Sequence, residues 1–282
     1  MRAVISSPPS GRVRDGALPS LETVAAWLLA IIWVFPLLYA FWAAFHPSEF
    51  MVNFSLFAPL TLSNFTDAWS QAPFVRYYLN TFALVTGVVI SQFIVCTLAA
   101  FAFARFPIPG KNVLFMLVLI QLFVFPEVLI VENYAIASDL GLINTITGIG
   151  LPYVASALGI FLLRQTFKTI PRELEDAARI EGCGWLEILW KVYVPLAKPT
   201  YLAYGLVSIS HHWNNFIWPL VVTNSVESRP LTVGLGVFSA PETGVNWATV
   251  SAATLLSIAP LLVAFLLFQR QFVQSFLRAG IR

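Results

Sequence analysis

The fold class predicted by this sequence is an all-α, polytopic membrane protein with six transmembrane helices and a charged two-helix loop on one side. Three observations predict it. The 282-residue chain is 58% hydrophobic and only 11% charged, a profile seldom met in soluble domains. Six long, nearly uncharged stretches run through it, and its Lys and Arg residues collect in segments that would share one side of a bilayer. The net charge of +2 provides no basic field, so no nucleic-acid partner is expected.

Residues 1–20, rich in Ser, Pro and Gly, read as a flexible tail ahead of a membrane domain at 21–282. The spans are expected at about 24–45, 77–104, 112–131, 144–163, 199–223 and 248–269. A hydrocarbon core of about 30 Å needs about 20 helical residues. The third stretch reaches that length only if Glu127 lies near its outer end and the apolar run 128–131 continues the helix. The first apolar run is too long for the core of a typical signal peptide and reads as an uncleaved span.

Lys and Arg are retained on the cytoplasmic side during insertion. With the N-terminus inside, Arg2, Arg12, Arg14, Arg105, Lys111, Arg164, Lys168, Arg172, Arg179, Lys191, Lys198, Arg270, Arg278 and Arg282 all lie inside, and only Arg76 and Arg229 lie outside. Both termini are therefore expected in the cytoplasm. The outside segment 46–76 carries Pro47, Pro59 and Pro73 among several aromatics and predicts an ordered cap with little regular structure. Asn53 and Asn64 each begin an Asn-x-Ser/Thr triplet, a short pattern that commonly arises by chance. Cys96 in a span and Cys183 in an inside loop read as ordinary thiols.

The loop at 165–198 is the anomaly. It holds Lys168, Arg172, Glu173, Glu175, Asp176, Arg179, Glu181, Glu187, Lys191 and Lys198. At about 2.5–3.5 kcal/mol for each Asp, Lys or Arg at a helix centre, it cannot enter the bilayer. Pro171 suits a first helical turn, Glu173, Glu175 and Asp176 suit the positive end of a helix dipole, and Gly182 suits its close. Leu174, Ala177 and Ala178 are expected to share one narrow face open to another protein. A second helix is expected from about Trp185 to Tyr193, stopping at Pro195.

These residues resemble the cytoplasmic loop motif of binding-protein-dependent importer permeases: Glu-Ala-Ala, three residues, Gly, then a distant Pro. Here the motif reads Asp176, Ala177, Ala178, Gly182 and Pro195, with Asp176 in place of the usual Glu and Glu181 in place of the usual Asp. The sequence Leu-Glu-Asp-Ala-Ala-Arg-Ile-Glu-Gly at 174–182 is similar to the carbohydrate-uptake branch, the maltose-type and glycerol-3-phosphate-type systems. Asn-Thr at 80–81, Ala-Phe-Ala-Arg-Phe-Pro at 102–107, Leu-Gly-Leu-Ile-Asn-Thr at 140–145, Phe-Leu-Leu-Arg-Gln at 161–165, Trp-Asn at 213–214, Trp-Pro-Leu at 218–220 and Gln-Arg at 269–270 extend the resemblance over nearly the whole chain. The ending Arg-Ala-Gly-Ile-Arg departs from the Gly-rich end of many relatives.

The resemblance implies a permease subunit of a bacterial inner membrane importer for a sugar or sugar-like solute. It further implies a second permease subunit, two ATPase subunits carrying ATP and Mg, and an external solute-binding protein, all within membrane lipid. Glu175, Asp176, Ala177, Ala178, Arg179, Glu181, Gly182 and Pro195 become the candidate coupling residues. The chain lacks a G-x-x-x-x-G-K-[ST] phosphate loop, so the motor is expected to be another polypeptide and this chain to bind no cofactor and perform no covalent chemistry.

Polar groups within spans are costly and often mark a pathway. Glu127, Glu132, His211, His212, Asn214 and Asn215 are the candidates. For the two carboxylates, a wet position at the outer end of a span weighs equally with a substrate role. His211, Asn214 and Asn215, at i, i+3 and i+4, would share one helix side and face sugar hydroxyls; structural bonds to neighbouring helices are nearly as expected. Trp213 is the one aromatic candidate. Adjacent histidines diverge on a helix and no H-E-x-x-H pattern occurs, so no metal site is expected. The alternative of another class is an ion-coupled secondary transporter with Glu127, His211 and His212 as a proton relay.

Overall fold

The computed structural model describes residues 21–51, 53–55, 57–239 and 244–280. The expected flexible tail at 1–20 and the last two residues, 281–282, of the divergent end 278–282 lie outside them. Among the described residues every regular element is helical. Helix α1, Leu21–Ala44, is apolar all round and packs chiefly against the C-terminal helix, a pattern that places it in lipid.

The segment after α1 is more regular than its prolines predict. It contains a 3-10 turn at Ser48–Met51 and helix α2, Ser63–Gln71. Buried Asn64 explains the order: its Nδ2 donates to the Ala44 and His46 carbonyls at 3.0 and 2.8 Å, satisfying groups that a helix end leaves without partners. Both amide hydrogens are used and the side chain is enclosed, so this triplet is structural.

Helix α3, Phe74–Arg105, is continuous over 32 residues, about 48 Å at 1.5 Å per residue, and so overshoots the hydrocarbon core. Helix α4, Lys111–Ile120, ends in a 3-10 turn at Gln121–Phe123. The chain then turns by 92° into Pro126–Asp139, whose helical part is α5, Ile130–Asp139. The expectation that 128–131 prolongs the third span is therefore overturned. The reason is local: Phe125 precedes Pro126 and is held extended, with ψ 134°, because the proline ring disfavours the α region at the residue before it.

The expected fourth span is also broken. Helix α6, Ile146–Gly150, and its 3-10 extension through Tyr153 meet helix α7, Ala157–Thr169, at 47°. Ser156 caps α7 by accepting from Gly159 N, and Gln121 Oε1 accepts from Ala157 N at 3.0 Å, so a side chain from one broken segment satisfies the backbone of the other.

The charged loop folds as helix α8, Arg172–Ile180, helix α9, Trp185–Ile188, a π turn at Leu189–Tyr193 and helix α10, Val194–Leu196. Contrary to expectation, the second helix passes through Pro195. A proline ring collides with the carbonyl four residues earlier in an α-helix, and the preceding π turn, with its wider i to i+5 pattern, relieves that collision.

Helix α11, Lys198–Trp213, and helix α12, Ile217–Val222, divide the expected span 199–223 at residues 214–216. Helix α13, Leu231–Gly234, and helix α14, Trp247–Gly280, complete the chain. By length and hydropathy α1, α3 and α14 each suffice to cross a membrane, and each bent pair qualifies as a broken span. Asn144 pins the link before α6 to the loop after α12. It adopts φ 61°, a left-handed conformation that Asn tolerates, and its Oδ1 accepts from the Asn224 and Ser225 amides at 2.8 and 3.0 Å.

Candidate functional site

Two sites emerge, at the charged foot and at the breaks in the spans. In the foot, α8 closes in a Schellman arrangement: Cys183 N donates to Ala178 O at 3.0 Å and Gly182 N to Arg179 O at 2.9 Å, with Gly182 at φ +85°. Helix α9 begins with Glu187 Oε2 accepting from Gly184 N at 3.0 Å, while Glu187 Oε1 accepts from Lys191 at 2.9 Å. These contacts hold the Glu187 carboxyl below, and the Lys191 ammonium above, their ordinary ranges.

Glu175 turns inward. Its Oε1 accepts from Arg179 at 2.6 Å and its Oε2 from the Tyr193 hydroxyl at 2.7 Å, and Arg105 Nε lies 3.7 Å from Oε2. That last distance is an ion pair beyond hydrogen-bond range, in keeping with an Nε that has no hydrogen-bond partner. The same guanidinium donates to the Phe167 and Ile170 carbonyls and lies over the Tyr193 ring. Arg179 in turn covers the Trp185 ring at 4.0 Å, joining α8 to α9.

The coupling candidates thus separate into two groups. Glu175 and Ala178 are buried against the bundle, whereas Asp176, Ala177, Glu181, Gly182 and Pro195 are exposed and Arg179 is half-exposed. The expectation that Ala177 and Ala178 share an open face is overturned, because Ala178 belongs to the side of α8 that packs inward. The open face carries Leu174, Asp176, Ala177 and Ile180, with Ile180 88% exposed.

The second site is a cavity of about 600 Å³ where the chain breaks near Pro126 and near Asn214. Glu127, His211, Asn214 and Asn215 all line it, although the reason differs from simple helical spacing. Helix α11 ends at Trp213, and Asn214 closes it by donating from Nδ2 to Ser210 O at 2.8 Å. Asn215 lies in the break, where its carbonyl accepts from Thr232 at 2.7 Å. Broken helices at membrane depth are tolerated where they line a cavity.

Trp213 is placed elsewhere. It is buried against Phe82, edge to face, and its Nε1 donates to Ser257 O at 3.2 Å. Glu132 falls in the first turn of α5 and is not among the lining residues. His212 also stays off the cavity wall and joins a buried network centred on Gln92. The Gln92 amide donates to Tyr153 O at 2.8 Å and to His212 Nε2 at 3.2 Å, and its Oε1 accepts from Tyr204 and Ser208 at 2.7 and 2.6 Å. All four of its hydrogen-bonding positions are occupied. Among the described residues no cluster of three His, Cys, Asp or Glu side chains could hold a metal.

A family model described as "Binding-protein-dependent transport system inner membrane component" matches residues 10–278. The chain belongs to this family of transport permeases. The permease is 33% identical over 268 residues to the arabinooligosaccharides transport system permease protein AraQ of Halalkalibacterium halodurans, covering 93% of this chain and 96% of the relative. It is 32% identical over 261 residues to the sn-glycerol-3-phosphate transport system permease protein UgpE of Shigella flexneri, covering 88% and 91%. A chain from the crystal structure of a bacterial ABC transporter involved in the import of the acidic polysaccharide alginate shares its fold, with a TM-score of 0.80, 24% identity and coverage of 89% and 95%.

Sequence reasoning about this permease missed Asn133, Tyr153, Ser210 and Trp218, which also line the cavity, and the Gln92 hub. Gln92 carried a signal: an amide inside a long apolar run is costly unless it is paired. Tyr153 and Asn133 carried none, because only the bends bring them to the cavity. Arg105 and Tyr193 were likewise visible only as an inside charge and a loop aromatic.

Proposed function

We propose that this permease forms one half of the membrane path of an ATP-driven importer for a sugar or sugar-like solute, embedded in the bacterial inner membrane. The observation that carries the reading is the convergence of Glu127, His211, Asn214 and Asn215 on one cavity at two helix breaks. Amides, imidazole and carboxylate there suit solute hydroxyls, and the volume falls in the range of about 300–1,000 Å³ typical of small-molecule sites. The relatives named above act on arabinooligosaccharides and on sn-glycerol 3-phosphate, so a carbohydrate or polyol derivative is the matching class.

In this reading the partners are a second, homologous permease subunit, two ATPase subunits that carry ATP and Mg, and an extracytoplasmic solute-binding protein. The excess of Lys and Arg in the loops on the foot's side favours a cytoplasmic foot and cytoplasmic termini. Helix α8 is clamped on its inner side and presents Leu174, Asp176, Ala177 and Ile180 on its open side, an arrangement suited to docking in an ATPase cleft and passing its movement to α3 and α7.

The test is uptake by the assembled transporter in proteoliposomes, supplied with its binding protein. ATP-dependent uptake of a sugar that persists after ion gradients are collapsed, and that falls at least several-fold with Asn215→Ala, is the expected result. Uptake that follows the ion gradient and ignores ATP would restore the Glu127 and histidine relay as the mechanism.

A further inference from the structure

The charge of the cavity narrows the solute. Among the described residues Glu127 is the one carboxylate on its wall, and neither Lys nor Arg lines it. The cations closest in sequence to the two breaks are placed elsewhere. Lys111 donates to Phe106 O at 3.3 Å at the start of α4, and Lys198 opens α11 at the end away from the break. Arg229, in the loop after α12, is not among the lining residues, and its Nε is buried without a hydrogen-bond partner among the described residues.

Recognition of a phosphate or uronate depends on charge-assisted donors, above all the bidentate guanidinium fork. This wall offers no such fork. Its Asn133, Ser210, His211, Asn214 and Asn215 side chains each combine donor and acceptor capacity, as sugar hydroxyls do. Tyr153 and Phe216 add aromatic surface on the same wall, suited to the apolar face of a pyranose or furanose. A carboxylate accepts from hydroxyls and repels an anion, and the repulsion grows as water is excluded.

We infer that the cavity takes an uncharged oligosaccharide and that Glu127 is the residue discriminating against anionic solutes. This rests on the cavity being part of the solute path, the reading given under Proposed function. Glu127 accepts hydroxyl hydrogens from a neutral sugar and places a like charge against a phosphate or carboxylate.

The test uses the assembled transporter in detergent without its binding protein, so that the permease alone selects. Isothermal titration compares neutral trisaccharides of arabinose and of glucose with trigalacturonate and glycerol 3-phosphate, for the native chain and for Glu127→Gln. Neutral trisaccharides should bind at least about tenfold more tightly than the anionic probes, and Glu127→Gln should narrow the ratio to within about threefold. Equal or tighter binding of an anionic probe, or a ratio untouched by Glu127→Gln, overturns the inference. So does an absence of binding by every probe in a complex that still imports a sugar with ATP, which would leave the importer reading standing. A complex that imports no sugar-like solute would sink both.

Discussion

The Tyr193 hydroxyl donates to Glu175 Oε2 at 2.7 Å, and the Arg105 guanidinium lies over the Tyr193 ring while pairing with the same carboxylate. One residue from the end of α3, one from α8 and one from the π turn therefore meet in a single buried contact. Arg105 also holds the last carbonyls around α7. The contact thus ties α8 to the ends of α3 and α7, the two helices that pack most extensively on each other.

Removing the phenolic hydroxyl should loosen this joint while leaving its charges and the ring under Arg105 in place. A hydrogen bond to a charged group contributes about 1.5–3 kcal/mol, so Tyr193→Phe should lower thermal stability by that order, and Glu175→Leu, which strands Arg105, by about 3–5 kcal/mol. Thermal unfolding of the detergent-solubilised transporter measures both. The ATP hydrolysed per solute imported should rise in Tyr193→Phe; an unchanged ratio would show that the contact stabilises without transmitting.

Burial, and then the bond to Glu175, raise the Tyr193 phenol above its ordinary range. A group whose folded value is raised contributes stability that is fully present below its unfolded value, about 10 for tyrosine, and that is lost as pH rises through the folded value. Unfolding free energy should therefore decline above pH about 10 in the native chain. Tyr193→Phe should lose that part of the decline in the same titration.

Gly182 adopts φ +85°, and apart from its chain neighbours no heavy atom lies within 4 Å of where a Cβ would stand. Substitution there meets backbone strain and no collision. Gly182→Val should cost about 1–2 kcal/mol and disturb the close of α8, and Gly182→Asn less, since Asn visits the left-handed region more readily. Measured together, uptake should fall further than basal ATP hydrolysis in Gly182→Val, with partial recovery in Gly182→Asn. Normal uptake by Gly182→Val would count against docking through this turn.

Gln92 satisfies Tyr204, Ser208, His212 and the Tyr153 carbonyl at once. Gln92→Leu leaves these groups buried without their partner, at about 1–3 kcal/mol for each one left unsatisfied. A large fall in melting temperature is expected, together with weaker solute binding, because the Tyr153 wall of the cavity loses its tether. If melting and binding both match the native chain, the network carries no such weight.

The helical class, the approximate place of each apolar stretch and the two-helix shape of the foot were legible in the sequence, because they depend on local quantities. Apolar length sets a span, charge density keeps 165–198 out of lipid, and Gly182 marks a helix end through its own backbone freedom. The cavity residues Glu127, His211, Asn214 and Asn215 were legible as costly polar groups in apolar runs. The spacing of His211, Asn214 and Asn215 put those three on one side; that Glu127 joins them on one wall was not legible.

Only the tertiary structure decided which groups meet. The third and fourth expected spans break at Phe125–Pro126 and ahead of Ser156, and the fifth at Asn214 to Phe216, and these bends bring residues far apart in sequence to one wall. In the foot, 165–198, charge density argued against burial in lipid but left the roles of its charges open. Glu175 and Asp176 are adjacent acidic residues, yet the first is enclosed by Arg105, Arg179 and Tyr193 and the second faces outward. A carboxylate goes inside only where partners from other elements offset its desolvation, and those partners exist only once α3, α8 and the π turn have come together.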